Sequence, residues 1–180
     1  MNETAKKIVD TAERMMREGG YHSFSFRQIA DELGVKSASV HYHFPTKEVL
    51  GGLVTQRYTE AFLGSLGRPE DHEDPLGFYI AAFEGSLKAN GTPCLCGVLA
   101  AESGRLPDEV CAALKTFTEE NLKWVQGALK VELPGGRAQD YEGIALVVFS
   151  ALEGAVNFAA LTKDVGYLTQ VGKALRGMIG

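Results

Sequence analysis

The amino-acid sequence predicts an all-α protein of about nine helices. Two observations carry this prediction: apolar residues recur at helical spacing along almost all of the 180 residues, and no segment shows the sustained alternation typical of a half-buried strand. Glycine and proline interrupt the periodicity at Gly34, Pro45, Pro107 and Pro134, where we expect turns between helices. The chain is long enough for one sizeable core, or for a small domain followed by a larger one.

The first helix is placed by Ile8, Ala12 and Met16 and ends near Gly19 and Gly20. Two short helices follow within residues 25–47, whose sequence is SFRQIADELGVKSASVHYHFPTK. The first of them has an apolar face, Gly34 permits a tight turn, and the second covers Lys36 to His43. This arrangement predicts a helix-turn-helix.

The second helix of the pair has the residue types that a DNA-reading helix needs. Ser37, Ala38 and Ser39 at its N-terminal end are small enough to let a helix enter the major groove, and hydroxyls can hydrogen-bond to base edges or phosphates. Histidine, tyrosine and lysine at its far end suit phosphate oxygens. The alternative is a helical hairpin that packs without contacting DNA and acts as an interaction module.

The remaining helices follow from apolar spacing and capping residues. A side-chain oxygen that accepts a first-turn backbone N–H is expected at Ser25, Thr46, Asp74 and Asp108, and the helix after Thr46 is expected to run to about residue 66.

The last two helices, Tyr141 to Leu161 and about 165–178, have a different character. The first is apolar nearly all round, so it is expected to be buried on several sides. Together the two are interpreted as a helix pair that contacts another chain. The alternative is that Tyr141 to Leu161 is the central core helix of a monomer.

The composition excludes several classes of protein. The chain has 18 Lys and Arg against 23 Asp and Glu, a net charge of −5 and 45% hydrophobic residues, which excludes a disordered or collagen-like chain. Residues 1–60 hold eight basic and eight acidic residues, so all the excess negative charge lies in residues 61–180 and a polyanion should bind the N-terminal part. No apolar run of about 18 residues and no signal peptide is evident, so we expect a cytoplasmic protein with no membrane partner.

The residues around the predicted helix-turn-helix resemble the N-terminal signature of the tetracycline-repressor-like (TetR) family of transcriptional regulators. The resemblance rests on Gly20-Tyr21, Phe26, Arg27, Ile29, Ala30, Gly34-Val35, an aromatic and histidine cluster that ends at Phe44, and Thr46-Lys47. It covers about the first 55 residues, and the remaining 125 match in length, helical character and helix order.

The resemblance implies a three-helix helix-turn-helix DNA-binding domain at residues 1–46 and a larger helical domain for effector binding and dimerisation at 47–180. It implies a ligand-responsive regulator, most simply a homodimeric repressor that a small-molecule effector releases from a palindromic operator in double-stranded DNA. The homodimer would form through the last two helices. No enzymatic activity and no cofactor are implied.

The resemblance also implies which residues contact DNA. These are Ser25, Arg27, Lys36, Ser37, Ala38, Ser39, His41, Tyr42, His43 and Lys47. The sequence departs from the family pattern at His41, where a tyrosine is usual, so we expect DNA binding to weaken as pH rises through the histidine pKa.

Cys94 and Cys96 form an unusual feature of the C-terminal part, because Gly91 and Pro93 place them at the start of a new helix. A helix N-terminus favours the thiolate, so the pair could sense an electrophile or oxidant. The alternatives are two small packing residues, a metal site shared with Cys111 or His72, or a thiol enzyme. The thiol-enzyme alternative lacks a histidine clearly placed to activate a thiol.

A small-molecule pocket is expected from aromatic and polar residues of the mid-chain and C-terminal helices. The candidate lining residues are Phe62, Phe83, Cys94, Cys96, Leu99, Glu102, Phe117, Asn121, Trp124, Phe149, Glu153 and Asn157. The aromatic members also suit an ordinary helical core. Glu153 and Asn157 lie within an apolar helix, so their buried polar groups would need partners from a ligand, water or another subunit.

Overall fold

The computed structural model describes the backbone of residues 1–179 and the side chains of all of these except 90, 138 and 139. Within the described residues the regular structure is nine α-helices and three short 3-10 helices, without a strand. The prediction of an all-α fold with an N-terminal helix-turn-helix is confirmed. The helices are α1 (Glu3–Gly19), α2 (Phe26–Leu33), α3 (Ser37–His43), α4 (Lys47–Leu66), α5 (Pro75–Asn90), α6 (Leu95–Ala101), α7 (Asp108–Glu132), α8 (Ala138–Thr162) and α9 (Gly166–Ile179).

The chain divides into two compact units. Unit 1 comprises Met1–Glu60 and Leu95–Phe117, and unit 2 comprises Ala61–Cys94 and Thr118–Gly180. Helices α4 and α7 contribute residues to both. The predicted functional division into residues 1–46 and 47–180 stays a prediction.

Unit 1 is built around α1, which packs against α2, α3 and α6. Ile8, Met16, Ile29 and Val40 are completely buried in its core. This burial follows from the sequence, because each of these residues lies on the apolar face of its helix.

Unit 2 is a helical layer in which α5 packs against α8 and α9, and α8 packs against α9. Leu76, Tyr79, Leu129 and Leu152 are completely buried in it. At Gly172 of α9 an added methyl group would come within 2.6 Å of the Ile80 side chain, so glycine permits the close approach of α9 to α5.

Three of the four predicted capping residues are confirmed. Backbone N–H groups donate to the side-chain oxygens of Ser25 and Thr46 at 3.3 Å and of Asp74 at 2.9 Å. The prediction for Asp108 is wrong, because α7 begins at that residue and the carbonyl of Pro107 accepts the first helical hydrogen bond. Asp108 instead lies in the first turn, where a carboxylate interacts favourably with the helix dipole.

Helix α8 is much more exposed than its composition predicts. Leu146, Val147, Phe158 and Leu161 are all exposed on it, so the helix is not buried on several sides in the single chain. Its segment Asp140–Thr162, of mean hydropathy 1.9, has the length and composition of a membrane span, contrary to the sequence expectation. A helix that pairs with a second apolar surface has the same composition.

Candidate nucleic-acid interface and candidate ligand site

Helices α2 and α3 form a helix-turn-helix because Gly34 ends α2 in the left-handed conformation. Its φ is 64°, and its N–H donates to the carbonyls of Ala30 and Asp31. A left-handed residue at this position favours glycine, since other residues meet a steric penalty there. The chain then turns through Val35 and begins α3 after Lys36.

Helix α3 is held by one side and presents the other to solvent. Val40 is its single buried residue among seven, while Ser37, Ala38, His41 and Tyr42 are exposed. Tyr42 is 85% exposed, so its ring and hydroxyl face solvent. The sequence prediction therefore fits the geometry: the small and polar residues of α3 point away from the core.

A groove of about 410 Å³ runs along this side of α3. It is lined by Thr4, Val35, Lys36, Ala38, Ser39, Tyr42 and His43. Thr4, in the first turn of α1, was not predicted as part of this surface. No local pattern in the sequence indicates that the start of the chain lies beside α3.

The other predicted DNA contacts differ in how accessible their polar groups are. The Arg27 side chain is 89% exposed, and its Nε lies 3.9 Å from a carboxylate oxygen of Asp31. The hydroxyl of Ser25 is engaged twice by Gln28, since it accepts from the backbone N–H and donates to the side-chain carbonyl oxygen at 2.8 Å. The ring of His41 packs edge-on against Phe26, with centroids 4.7 Å apart.

Lys47 is held inside unit 1. Its Nζ donates to the Phe24 carbonyl at 2.6 Å and lies 4.3 Å from the centroid of the Phe24 ring and 4.6 Å from that of Tyr21. Burial lowers the pKa of this amine, against the opposing charges of Glu48 and Glu102. Its phosphate contact stays a prediction, and in this structure the ammonium ties the start of α4 to the segment before α2.

Unit 2 contains a cluster of four aromatic residues, of which three were predicted to line a pocket. Tyr79 and Trp124 stack with centroids 5.2 Å apart and planes inclined by 19°. Phe83 lies 5.3 Å from the Tyr79 ring and 5.4 Å from the Phe62 ring, both edge-on. The indole N–H of Trp124 donates to the Gly67 carbonyl at 2.8 Å, which fixes that ring.

Tyr79 was missed by the sequence analysis. Its hydroxyl donates to the side-chain oxygen of Asn121 at 2.8 Å, and both residues are completely buried. The signal was present, because Tyr79 shares the helical face of Leu76 and Phe83 at spacings of three and four residues.

Glu153 of α8 carries the most unusual group of unit 2. Both carboxylate oxygens are buried without a hydrogen-bond partner among the described residues. Burial first, and then the charge of the Cys94 thiol and a hydrogen bond with it, raise the pKa of this carboxyl well above its usual value. Burial likewise raises the pKa of Tyr79, and the charges of Glu153 and Cys94 raise it further.

Asn157 does not need an external partner for its amide. Its Nδ2 donates to the Glu153 backbone carbonyl at 2.8 Å, one turn earlier in α8, and the residue is only half-buried. Phe149, also on α8, is half-buried too. The place of both in a ligand site stays a prediction.

Four of the twelve predicted lining residues belong to unit 1. They are Cys96, Leu99, Glu102 and Phe117. Glu102 accepts a hydrogen bond from the Tyr21 backbone N–H at 3.0 Å, and the Phe117 ring lies 6.0 Å from that of Tyr58. Glu102 therefore already has a structural function, in holding the turn after α1.

Cys94, Cys96 and Cys111 form no disulfide bond with one another. Cys94 and Cys96 are buried, and Cys111 is half-buried with its sulfur 3.7 Å from the Leu106 carbonyl oxygen. Within residues 1–179 no three His, Cys, Asp or Glu side chains lie close enough together to hold a metal ion.

Comparisons with known proteins agree with this architecture. A family model described as "Bacterial regulatory proteins, tetR family" matches residues 8–50. An uncharacterized HTH-type transcriptional regulator of Bacillus subtilis (strain 168), YxaF, is 22% identical over 172 residues, which cover 90% of this chain and 87% of that protein.

Solved structures match along almost the whole chain. A TetR transcriptional regulator from Legionella pneumophila superposes with a TM-score of 0.88 and 29% identity, covering 100% of this chain and 99% of that one. A TetR-family regulator from Agrobacterium tumefaciens gives 0.83 and 26%, covering 97% and 95%.

Proposed function

Because this chain belongs to the tetR family of bacterial regulatory proteins, it is a DNA-binding transcriptional regulator, and we propose that it is a homodimeric repressor released from a palindromic operator by a small-molecule effector. The homologues are regulators and not enzymes. Regulators of this family bind DNA and usually form homodimers that respond to small molecules. Its place of action is then the cytoplasm, where the DNA is.

The observation that supports DNA reading is the exposed side of α3. A helix whose one fully buried residue is Val40 can enter a major groove with Ser37, Ala38 and Ser39 toward the bases. Tyr42 and Arg27 extend into solvent and can reach phosphate oxygens. The two α3 helices of a dimer would then bind successive major grooves of one operator.

The observation that supports a dimer is the exposed apolar side of α8 and α9. Phe158 and Leu161 of α8 are 58% and 77% exposed, and Tyr167 and Met178 of α9 are 47% and 78% exposed. Soluble monomers rarely expose so many large apolar residues on neighbouring helices. The same surface of a second chain, related by a two-fold axis, would cover them.

The effector is proposed to act through helix α4, Lys47–Leu66, by changing the spacing of the two DNA-reading helices. A coupling free energy of about 1–3 kcal/mol is sufficient, because it changes DNA affinity by roughly 5- to 150-fold. Burial of Cys94 and Cys96 favours a reversibly bound effector over one that reacts with a thiol.

The proposal is tested by binding the purified protein to DNA from its own promoter across a salt series. We expect tight, sequence-specific binding and a footprint over two half-sites. Arg27→Ala should weaken binding and reduce the slope of log affinity against log salt by about 1, because one phosphate contact is lost. Arg105→Ala, an exposed arginine outside the helix-turn-helix, is the matched control and should leave the slope unchanged.

Two results would contradict the proposal. Absence of specific binding to the promoter and to fragments selected from a random DNA pool would exclude a DNA-reading function. Equal salt slopes for wild type and Arg27→Ala would exclude the assigned surface. A further arm with N-ethylmaleimide tests the thiol alternative: release of wild type but not of Cys94→Ser or Cys96→Ser would make the cysteines the sensor.

A further inference from the structure

Lys47, the first residue of α4, directs its charge toward the interior of unit 1. Its Nζ donates to the Phe24 carbonyl at 2.6 Å, and the same atom lies 4.3 Å from the centroid of the Phe24 ring and 4.6 Å from that of Tyr21. Both aromatic residues are almost completely buried. Electron-rich ring faces attract a cation, and the attraction grows where water is excluded. The ammonium is therefore bound by groups of the chain itself.

The hydrogen bond of Lys47 joins the starts of two helices. Phe24 immediately precedes Ser25, the N-cap of α2, and both residues have extended backbone. Lys47 begins α4, so α2, the turn at Gly34 and α3 all lie between the two residues that the bond connects. The helix-turn-helix is thus closed at its base onto α4. Because α2 packs against α3, a change in the position of the start of α2 also moves α3.

The loop between α1 and α2, which accepts this bond, is also held by Glu102, the residue after α6. The Tyr21 backbone N–H donates to the Glu102 carboxylate at 3.0 Å, and Gly20 leaves the space that this carboxylate occupies. Burial lowers the pKa of the Lys47 amine, and the charges of Glu48 and Glu102 oppose this effect by favouring the protonated form. Glu102 therefore supports the bond of Lys47 both through the loop backbone and through its charge.

We propose that Lys47 is a positioning residue for DNA reading, which holds the start of α2 on α4 through the Phe24 carbonyl and so sets the orientation of α3 in the major groove. It does so without pairing with a DNA phosphate. This rests on the proposed function, because DNA reading is the activity that the residue serves. Lys47 thereby differs from Arg27, whose side chain is 89% exposed and can reach a phosphate oxygen.

A phosphate contact and a positioning role differ in their salt dependence. A phosphate contact releases counter-ions, so its loss lowers the slope of log affinity against log salt by about 1 and weakens binding to all sequences alike. Loss of a bond inside the protein releases no counter-ion. It leaves the slope and the non-specific affinity unchanged and lowers the affinity for the operator, because base contacts depend on the orientation of the recognition helix.

The test substitutes Lys47→Met in the full chain, which keeps an unbranched apolar side chain and removes the ammonium. Fluorescence anisotropy across a salt series measures binding to the operator and to a scrambled duplex of equal length. We expect operator affinity to fall by about 5-fold or more, the effect of losing one good base contact, while the slope and the affinity for the scrambled duplex stay as in wild type. Lys115→Met, at an exposed lysine of α7 in the same unit, is the matched control for the loss of one charge and should behave as wild type.

Glu102→Gln is a second variant that tests the same role from the other side of the loop. On charge alone, removal of a carboxylate strengthens binding to a polyanion. The positioning role predicts the opposite, weaker operator binding at an unchanged slope, because the neutral amide holds the Tyr21 N–H less firmly and no longer favours the charge of Lys47. The double variant should lose less than the two single losses combined, since both substitutions act on one loop. Glu102→Gln alone decides the test if Lys47→Met lacks the wild-type near-ultraviolet circular dichroism.

Three results would overturn the proposal. A slope that falls by about 1 for each Lys47 replaced, with equal losses on operator and scrambled DNA, would make the residue a phosphate ligand. Wild-type operator affinity in Lys47→Met, or tighter operator binding by Glu102→Gln, would show that the loop does not position α3. Any of these results in a protein whose wild type binds its operator removes only the role of Lys47. A wild type that binds no DNA specifically contradicts the proposed function itself.

Discussion

Replacing the buried carboxyl of Glu153 by an amide should stabilise the fold by an amount that grows with pH. Burial, and then the Cys94 thiol, raise the pKa of Glu153 well above its value in the unfolded chain. Between these two pKa values the folded protein holds one more proton than the unfolded chain. The free energy of unfolding therefore falls by about 1.4 kcal/mol for each pH unit in this window.

The sign of the effect follows from the direction of the shift. The favourable contribution of the protonated carboxyl is complete below the unfolded pKa and is lost as pH rises toward the folded pKa. Tyr79, one of the groups that Glu153 acts on, stays neutral in this range because its own pKa is raised. Glutamine does not titrate, so the stability difference between Glu153→Gln and wild type reports the carboxyl together with its coupling to the Cys94 thiol.

Urea denaturation at fixed protein concentration from pH 5 upward measures this difference. We expect Glu153→Gln to gain on wild type by about 1.4 kcal/mol per pH unit until the carboxyl ionises. Glu142→Gln, exposed on the same helix, should follow the wild-type curve. A difference that is constant with pH, or that decreases, would refute the reasoning, because the carboxyl would then be no harder to ionise in the folded protein than in the unfolded chain.

Three further changes test other parts of the structure. Tyr42→Ala should lower operator affinity in a fluorescence anisotropy titration while changing the free energy of unfolding by less than about 0.5 kcal/mol, since the side chain is 85% exposed; unchanged affinity would argue against its phosphate contact. Gly20→Ala should destabilise the fold by about 1–3 kcal/mol in urea, because Gly20 has a φ of 80° and the added Cβ would lie within 2.0 Å of a Glu102 oxygen; full stability would contradict that contact. Phe158→Glu should give a monomer in sedimentation velocity at concentrations where wild type is a dimer, and a persistent dimer would place the interface elsewhere.

The fold could be predicted from the sequence where its causes are local. Helix positions follow from apolar spacing, and the caps at Ser25 and Asp74 follow from side-chain chemistry within three residues. The helix-turn-helix was predictable for the same reason, because Gly34 fixes the turn by its own conformational freedom. In each case the interaction that decides the structure spans a few residues.

The exposure of α8 could not be predicted, because composition records how much apolar surface a helix has and not what covers it. An all-round apolar helix is expected to be buried, yet Leu146 and Leu161 are exposed in the single chain. A core helix, a helix at a subunit interface and a membrane span share this composition. Only the three-dimensional packing shows that part of its apolar surface is exposed in the single chain.

The two glutamates predicted to line the ligand site show why the site itself was harder to predict than the fold. Glu102 and Glu153 have the same chemistry and similar apolar neighbours in sequence, and the sequence treats them alike. Glu102 accepts a hydrogen bond from a backbone N–H 81 residues away, whereas the oxygens of Glu153 are buried and accept none from an N–H or O–H group of the described residues. Contacts over such separations decide which polar group is open to a ligand, and the sequence around each residue does not record them, so Glu102 would first have to give up its bond to Tyr21 before it could contact a ligand.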